Sequence, residues 1–322
     1  MFPRMSLALL PTPIQHLDRL SAQLKGPELL IKRDDLTGLA FGGNKTRKLE
    51  YLLADAREQG AELLLTTGAG QSNHCRQTAA AAARAGFNCR LVLTGEAPQT
   101  PSANQLLDLL VGASLVWTEP SARDLRLKQE FERAQDLGKK PYLIPYGGSN
   151  VIGAYAYYRA VFELKEQLEE QELDWIVFAS SSGGTQAGLA AGVKGANWPV
   201  NILGISVDEP DHILASRVAD LGSQVLDAAG ENQRLDEENI LVNDDYLGEG
   251  YGVMGGREKQ AIQTFAREEG ILLDPVYTGR AAGGLVNLIR QGFFETDERV
   301  LFWHTGGTPV LFADRYLPDL LY

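Results

Sequence analysis

The stretch WIVFASSSGGTQAGLAAG, residues 175–192, places an apolar run directly before a serine- and glycine-rich turn and a run of small residues. The apolar run is typical of a buried strand, and the small residues after the turn predict a helix. Backbone N–H groups at such a helix start, with the hydroxyls of Ser181, Ser182 and Thr185, suit an anion. A plain strand-to-helix turn would explain the glycines, but not the three serines and the threonine beside them. The stretch therefore predicts a strand, a phosphate-binding turn and a helix.

Short apolar runs alternate with longer amphipathic stretches along nearly the whole chain, which is typical of βα units around a parallel sheet. We therefore expect an α/β protein with open, twisted, largely parallel sheets and flanking helices. The acidic segment 236–250 is expected to be a solvated surface loop. Strands are predicted at 28–35, 62–68, 89–95, 114–119, 141–148, 175–180, 201–208 and 299–307. Helices are predicted at 47–59, 74–85, 103–111, 122–137, 153–170, 186–193 and 256–269.

The order of these elements suggests two domains. Residues 48–150 hold a self-contained set of strands and helices, and the sequence YGGSN at 146–150 resembles a crossing point. We expect a small α/β domain at 48–150, inserted into a large domain formed by 1–47 and 151–322. Ligands of parallel α/β sheets bind at the carboxyl ends of the strands, where the glycine-rich turns of this chain would meet.

Composition narrows the possible functions. The 322 residues are 44% hydrophobic and 22% charged, with a net charge of -12. This balance indicates a folded globular protein, and the negative charge disfavours binding to nucleic acid or to anionic membranes. No apolar run is long enough to span a membrane, and the N-terminal apolar block is too short for a convincing signal peptide. Two cysteines, Cys75 and Cys89, give no disulfide framework. We expect a cytoplasmic protein that acts on a small molecule.

The stretch FGGNKTRKLE, residues 41–50, places Lys45 just after two glycines and an asparagine. Gly38 and Gly43 have the spacing of a nucleotide-binding P-loop, but Asn44 separates the last glycine from the lysine. In a P-loop that lysine follows the glycine directly, so a nucleotide site is a weak alternative. A dinucleotide fingerprint is not found at the right place either.

A second turn of the same kind, TGAGQSNH at residues 67–74, precedes another predicted helix. Ser72 or Asn73 is suited to be the helix N-cap. The unpaired N–H groups there also suit a substrate carboxylate, and a serine hydroxyl could take part in proton transfer. No GxSxG elbow of a serine hydrolase occurs. The histidines are scattered without metal-ligand spacing, so no metal site is expected; they are His16, His74, His212 and His304.

Six motifs in one order resemble the pyridoxal-phosphate enzymes of the tryptophan synthase β fold type. Within that superfamily the chain is most similar to the branch of D-cysteine desulfhydrases and 1-aminocyclopropane-1-carboxylate (ACC) deaminases, over essentially its full length. Any one of the motifs would be weak alone. The motifs are GGNKTRK with Lys45, TTGAGQSNH with Ser72 and Asn73, SSGGTQAG, GYGV with Tyr251, DPVYTG with Tyr277 and Thr278, and HTGGTP with Thr305.

The resemblance implies a role for each of these residues. Lys45 would form the Schiff base with pyridoxal 5'-phosphate, which requires a lysine amine with a pKa below the ordinary value of about 10.4. Ser72, Asn73, His74, Tyr251 and Tyr277 would contact the substrate, with Lys45, Ser72, Tyr251 and Tyr277 taking part in catalysis. Asn73 would also bond the ring 3-oxygen. The other cofactor contacts implied are Asn44, Ser182, Gly183, Gly184, Thr185, Gln186, Ala187, Gly188, Thr278 and Thr305.

Two positions discriminate between activities of the branch. ACC deaminases resemble this chain but carry Glu where Thr278 stands and Leu where Thr305 stands. A carboxylate near the pyridine nitrogen would make the ring a stronger electron sink than a neutral hydroxyl would. Two threonines therefore favour elimination of a sulfur group, as in D-cysteine desulfhydrase, in which the α-proton is removed by Lys45 or by Ser72.

Several alternatives stay open from the sequence. ACC deamination, elimination from L-cysteate or a related amino-acid deamination would use the same residues, and the preference for D over L rests on the resemblance. A nucleotide-dependent enzyme and a non-catalytic binding protein are further alternatives, although the retained Lys45 argues against the latter. The resemblance also implies a homodimer.

Overall fold

The computed structural model describes residues 2–321 and confirms the expected α/β class. The strands in this part of the chain are β1 (Ile14–His16), β2 (Glu28–Arg33), β3 (Leu63–Ala69), β4 (Asn88–Thr94), β5 (Ser114–Thr118), β6 (Pro141–Leu143), β7 (Trp175–Ser180), β8 (Asn201–Ser206), β9 (Leu241–Asn243) and β10 (Arg299–His304). The helices are α1 (Asp18–Leu24), α2 (Asn44–Glu58), α3 (Asn73–Ala85), α4 (Ala103–Leu110), α5 (Arg123–Asp136), α6 (Val151–Leu168), α7 (Gly184–Gly195), α8 (Asp211–Ala229), α9 (Gly256–Glu269), α10 (Thr278–Arg290) and α11 (Leu317–Leu321).

The strands form two separate sheets. The larger sheet has the order β1-β2-β10-β7-β8-β9, in which β1 is antiparallel to β2 and the other neighbours are parallel. The smaller sheet has the order β5-β4-β3-β6 and is parallel throughout. Helices cover the central strands on both faces, which is why β7 is a nearly continuous apolar run with Ile176, Val177 and Phe178 fully buried.

All eight predicted strands are present, but two short edge strands escaped prediction. They are β1 and β9, each three residues long, and neither shows the apolar alternation of a longer strand. The expectation for the acidic segment 236–250 needs a correction. Much of it is exposed, but Leu241–Asn243 pairs with β8 and Tyr246 is buried in the core. Without β9, the backbone N–H and C=O groups along the edge of β8 would be unpaired. Pairing with Leu241–Asn243 satisfies them, and the acidic composition of the segment gave no sign of this strand.

Four helices were not predicted, namely α1, α8, α10 and α11. The longest, α8, has Asp211 in its first turn, Gly230 as a left-handed C-cap and buried Leu214 and Val218 four residues apart. These signals were available in the sequence. Helix α10 contains three glycines, which lower intrinsic helix propensity, and it forms because it is buried between neighbours.

A network of buried charges lies between α2, α6 and the larger sheet. The Arg47 guanidinium, two residues after Lys45, donates to Asp34 at 2.8 Å and to Glu163 at 2.8 Å. Tyr157 also donates to Asp34, at 2.5 Å. Arg47 and its hydrogen bonds hold the pKa of Asp34 below its usual range despite complete burial, so the carboxylate stays charged. The network fixes the start of α2 to the larger sheet.

None of the helices in residues 2–321 is both long enough and apolar enough to cross a membrane.

Close packing of α7 on α6 generates the first prediction. A Cβ atom at Gly188 would lie 2.1 Å from the Ala154 carbonyl oxygen and 2.5 Å from Tyr157 Cβ. Gly188→Ala must push the two helices apart, and we expect the free energy of unfolding in urea to fall by about 1–3 kcal/mol. Gly256→Ala, at a helical position where a Cβ meets nothing within 4 Å, is the matched control and should leave stability unchanged or slightly higher. An equal fall in the free energy of unfolding in both variants would show that the contact between α6 and α7 is not the cause of the destabilisation.

Candidate active site

One pocket brings together the turns that follow β3, β7 and β10 and the first turn of α2. All of these lie at the carboxyl ends of parallel strands or opposite them, where α/β proteins bind ligands. Most of the side chains predicted to bind a cofactor or substrate are in its wall. The lining residues are Asn44, Lys45, Ser72, Asn73, His74, Tyr146, Gly147, Ala179, Ser180, Ser181, Ser182, Gly183, Thr185, Tyr277, Thr305 and Gly306.

Lys45 is the second residue of α2, and it projects into this pocket from a helix rather than from a loop. Burial lowers the pKa of Lys45 to about 8. Because an ordinary lysine has a pKa of about 10.4, the uncharged fraction at pH 7 rises from roughly one in 2,500 to roughly one in ten. The amine is therefore prepared for nucleophilic attack at neutral pH.

The backbone before Lys45 is held in an unusual conformation. Residues 40–43 all have positive φ, including Ala40 at 44° and Phe41 at 68°. The Arg76 guanidinium donates to the carbonyls of Ala40 and Gly42, and Thr37 Oγ1 accepts from the Gly43 N–H at 2.8 Å. These bonds maintain a backbone that side chains disfavour, and such strain is commonly stored at functional sites.

Glycine is required where α2 meets the turn after β10. A Cβ atom at Gly306 would lie 2.6 Å from the Gly43 Cα atom, so the two backbone segments could not lie this close together. The approach lets the Asn44 N–H donate to the Thr305 carbonyl at 2.9 Å. The Lys45 turn is thereby fixed against the turn that carries Thr305.

The serine- and glycine-rich turn after β7 faces Lys45 across the pocket. Gly183 has φ 81°, and α7 starts at the next residue without any side-chain cap, so its first N–H groups lack intrahelical partners. The Asn44 side-chain amide donates to Thr185 Oγ1 at 3.1 Å. The Ser181 hydroxyl, which the sequence predicted to donate to an anion, instead donates to Asp208 at 2.9 Å. The helix start, Ser182 and Thr185 remain available to an anion.

A second lysine in this region was not predicted to act in the site. Lys48 is fully buried, and its amine donates to the Gly147 carbonyl at 3.1 Å and to Ser149 Oγ at 3.4 Å. Ser149 Oγ lies 2.8 Å from Ser182 Oγ, which connects Lys48 to the turn after β7. The helix predicted at 47–59 did not include Lys45, and the observed start of α2 at Asn44 is what places the two lysines three residues apart on one helix.

Ser72 is the N-cap of α3, and its hydroxyl accepts from the Cys75 N–H at 3.2 Å. Accepting that bond leaves the hydroxyl proton free to donate. The capping role and a role toward substrate are therefore compatible, since Ser72 lines the pocket.

His74 lines the same pocket as a neutral ring. Thr66 Oγ1 donates to the Ile144 carbonyl at 2.9 Å and lies 2.8 Å from His74 Nε2. Because the hydroxyl has one proton, Nε2 must be the donor and Nδ1 carries the lone pair. Burial, with the charges of Lys45 and Lys48, lowers the pKa of His74 well below its usual range. Nδ1 is buried and has no hydrogen-bond partner among residues 2–321.

The two tyrosines expected beside the substrate contact each other. The hydroxyls of Tyr251 and Tyr277 are 2.6 Å apart, and their rings meet edge to face with centroids 5.9 Å apart. Tyr277 lines the pocket, whereas Tyr251 lies in the wider cleft outside it. Burial raises the pKa of both hydroxyls, so both keep their protons at neutral pH.

Several residues that the resemblance assigned to the cofactor lie outside the pocket lining. Thr278 is fully buried at the start of α10, where its hydroxyl donates to Asp274 at 2.8 Å. The Gln186 side chain does not line the pocket and donates to the Leu241 carbonyl of β9 at 2.9 Å. Gly188 packs on α6. Gly184 and Ala187 belong to the same helix, and Thr305 is in the pocket wall.

Known proteins are similar to this chain in sequence and in structure. A family model described as "Pyridoxal-phosphate dependent enzyme" matches residues 5–306. A D-cysteine desulfhydrase of Salmonella newport (strain SL254) is 42% identical to the chain, and the match covers 97% of the chain and 96% of that relative.

Two solved structures share the fold. That of an ACC deaminase homologue has a TM-score of 0.90 and 39% identity, covering 99% of this chain and 96% of its own. That of a fungal L-serine ammonia-lyase from Rhizomucor miehei has a TM-score of 0.68 at 17% identity, covering 98% of each chain. With a family model over most of the sequence and a relative of this identity over nearly all of it, the expectation drawn from the six motifs is confirmed: the chain belongs to the pyridoxal-phosphate dependent enzyme family.

Proposed function

We propose that this enzyme catalyses the α,β-elimination of D-cysteine to pyruvate, ammonia and hydrogen sulfide. The observation that carries the proposal is one pocket in which a lysine amine of lowered pKa faces an uncapped helix start. The choice of substrate is supported by the 42% identity to a D-cysteine desulfhydrase.

The donor set of the pocket fits pyridoxal 5'-phosphate at its phosphate end. The first N–H groups of α7 and the hydroxyls of Ser182 and Thr185 suit a phosphate. Close contacts of Gly147 with Ser182 and of Gly184 with Ser149 leave no room for side chains on those glycines. The buried Lys48 amine donates to Ser149 Oγ, which lies beside Ser182 Oγ, and so supports the turn from behind. We propose that these residues hold the phosphate.

The opposite end of the pocket fits the reactive part of the cofactor. When bound, pyridoxal phosphate supplies an aldehyde for an amine and a ring that accepts the electron pair left at a substrate α-carbon. Lys45 would hold the aldehyde end, and the Asn73 side chain would hold the ring oxygen. The neutral His74 ring offers an acceptor rather than another cation beside Lys45.

The start of α3 is suited to hold the substrate carboxylate. Its free N–H groups and the donor hydroxyl of Ser72 face the pocket from the side of the smaller sheet. A substrate held there would present its α-proton between Ser72 and Lys45. Lys45 is the better base, because its amine with a pKa of about 8 accepts a proton far more readily than a serine hydroxyl does.

The tyrosine pair would serve the leaving group. In a pair of hydroxyls 2.6 Å apart one proton lies between the oxygens, and the other is free to be donated into the pocket. Tyr277, which lines the pocket, would donate to the sulfur as the Cα–H and Cβ–S bonds of D-cysteine break. The released enamine then hydrolyses to pyruvate and ammonia.

ACC deamination is a second candidate, which the 0.90 TM-score to an ACC deaminase homologue favours. Against it stands the neutral hydroxyl of Thr305 in the pocket wall, which would not keep a pyridine nitrogen protonated. Thr278 is also neutral, and its hydroxyl is engaged with Asp274. These two positions support sulfur elimination over ring opening.

The domain division and the assembly are part of the proposal. We infer a small domain at 48–150 within a large domain of 1–47 and 151–322, because the smaller sheet uses only strands β3 to β6. Its boundary runs beside the pocket, which would let the two units close around a substrate. A cytoplasmic homodimer is our expectation for the assembled enzyme.

The lowered pKa of Lys45 generates a prediction about its reactivity. Only the uncharged amine is acylated, so labelling of Lys45 in the cofactor-free protein should increase as the pH rises and level off above about 8. Competitive labelling with peptide mapping by mass spectrometry measures the rate at each pH. Lys128, whose side chain is 72% exposed, is the control for reagent decay in the same sample. A Lys45 midpoint above pH 10 would contradict the account.

The substrate assignment predicts a product pattern. The purified holoenzyme should release sulfide and pyruvate in equal amounts from D-cysteine, and should act much more slowly on L-cysteine, L-cysteate and ACC. Thr278→Glu combined with Thr305→Leu should shift turnover towards ACC, measured as 2-oxobutyrate and ammonia. Because Thr278 contacts buried Asp274, the stability of the variant is measured in parallel. Faster turnover of ACC than of D-cysteine by the unmodified enzyme would refute the assignment.

A further inference from the structure

We propose that Asn104, a residue of the smaller sheet's helix α4, is a positioning residue that fixes the Asn73 side chain as a hydrogen-bond donor towards the cofactor. Asn104 is fully buried, and it does not line the pocket. It acts through Asn73, and the inference rests on the proposed binding of the cofactor ring beside Asn73.

The orientation of both amides follows from one unambiguous acceptor. The Asn104 side chain lies 2.9 Å from the main-chain carbonyl oxygen of Gln71, which can only accept. The Asn104 atom in this contact must therefore be Nδ2. The same nitrogen lies 2.9 Å from the Asn73 side chain, so the Asn73 atom facing it must be Oδ1. The Asn73 Nδ2 group is then the part of that amide left for the pocket.

Two further hydrogen bonds hold Asn104 in place. The Asn104 N–H donates to Gln71 Oε1 at 3.0 Å, and Gln71 Nε2 donates to the Ser102 carbonyl at 3.1 Å. Ala103, between Ser102 and Asn104, has φ 49°, a strained value for a residue with a side chain. The surrounding contacts thus maintain a backbone that alanine disfavours, and this backbone presents Asn104 to Asn73.

The chemical consequence concerns the ring 3-oxygen of the cofactor. A donor amide stabilises that oxygen in its deprotonated form, whereas an amide carbonyl would repel it. Asn104 Oδ1 is buried without a hydrogen-bond partner among the described residues. The side-chain hydrogen bonds of Asn104, to Gln71 and to Asn73, are both donated by its Nδ2 group. Without Asn104 the Asn73 amide could turn over, and the pocket would lose its fixed donor.

A pH titration of the bound cofactor's absorbance tests the proposal without any substrate. Asn73→Ala should raise the pH midpoint of the spectral change by about one unit, which is the size expected for one hydrogen bond to a charged oxygen. Asn104→Leu should produce more than half of that shift. Asn104→Asp should shift it further, because a carboxylate facing Asn73 favours the turned-over amide.

The double variant decides between positioning and a general structural role. If Asn104 acts through Asn73, adding Asn104→Leu to Asn73→Ala should change the midpoint no further. Asn287→Leu removes a hydrogen bond to Tyr246 away from the pocket and should leave the midpoint unchanged. An unshifted midpoint in Asn104→Leu, or additive shifts in the double variant, would overturn the proposal. Since no amino acid is added, failure of the D-cysteine assignment would leave this result unaffected.

Discussion

Burial of the Lys45 amine is the interaction on which the rest of the site depends. Partial removal of the amine from water disfavours its charged form, and this cost is what lowers the pKa of Lys45 to about 8. The same burial requires the surrounding backbone to approach closely, which only glycines at Gly43 and Gly306 allow. The turn before Lys45, residues 40–43, has unusual φ values and is held by the Arg76 guanidinium.

The two sheets contribute different groups to the pocket. The larger sheet contributes the turns after β7 and β10, which suit the phosphate and the face of the ring. The smaller sheet contributes the start of α3, with Ser72 and Asn73, which suits the substrate carboxylate and the ring oxygen. Lys45 lies at the start of the helix between them, tied to the larger sheet by the Arg47 network. A change in the relative position of the two sheets would therefore move Ser72 and Asn73 together relative to Lys45.

The fold could be predicted from local sequence, whereas the role proposed for Lys45 came from the resemblance of six motifs to a family; the elements that were missed have physical causes. The apolar runs of the parallel strands are easily recognised. By contrast, β9 has only three residues and α10 is rich in glycine, so both elements form because of tertiary contacts that local sequence does not show. The direction of a side chain depends on where its helix starts. Because α10 was not predicted, the contact between Thr278 and Asp274 could not be predicted either. Gln186 and Gly188 follow the turn after β7 in sequence, yet the helical period turns them away from the pocket.

Chemical mapping of the cofactor linkage tests the role of Lys45. The holoenzyme is reduced with borohydride, which makes the bond between cofactor and lysine permanent, and is then digested and mapped by mass spectrometry. We expect a single pyridoxyl adduct, on Lys45. An adduct on Lys48 would contradict it, since that lysine is also buried and lies three residues further along the same helix. A protein that remains unmodified after incubation with pyridoxal phosphate and reduction would contradict it as well.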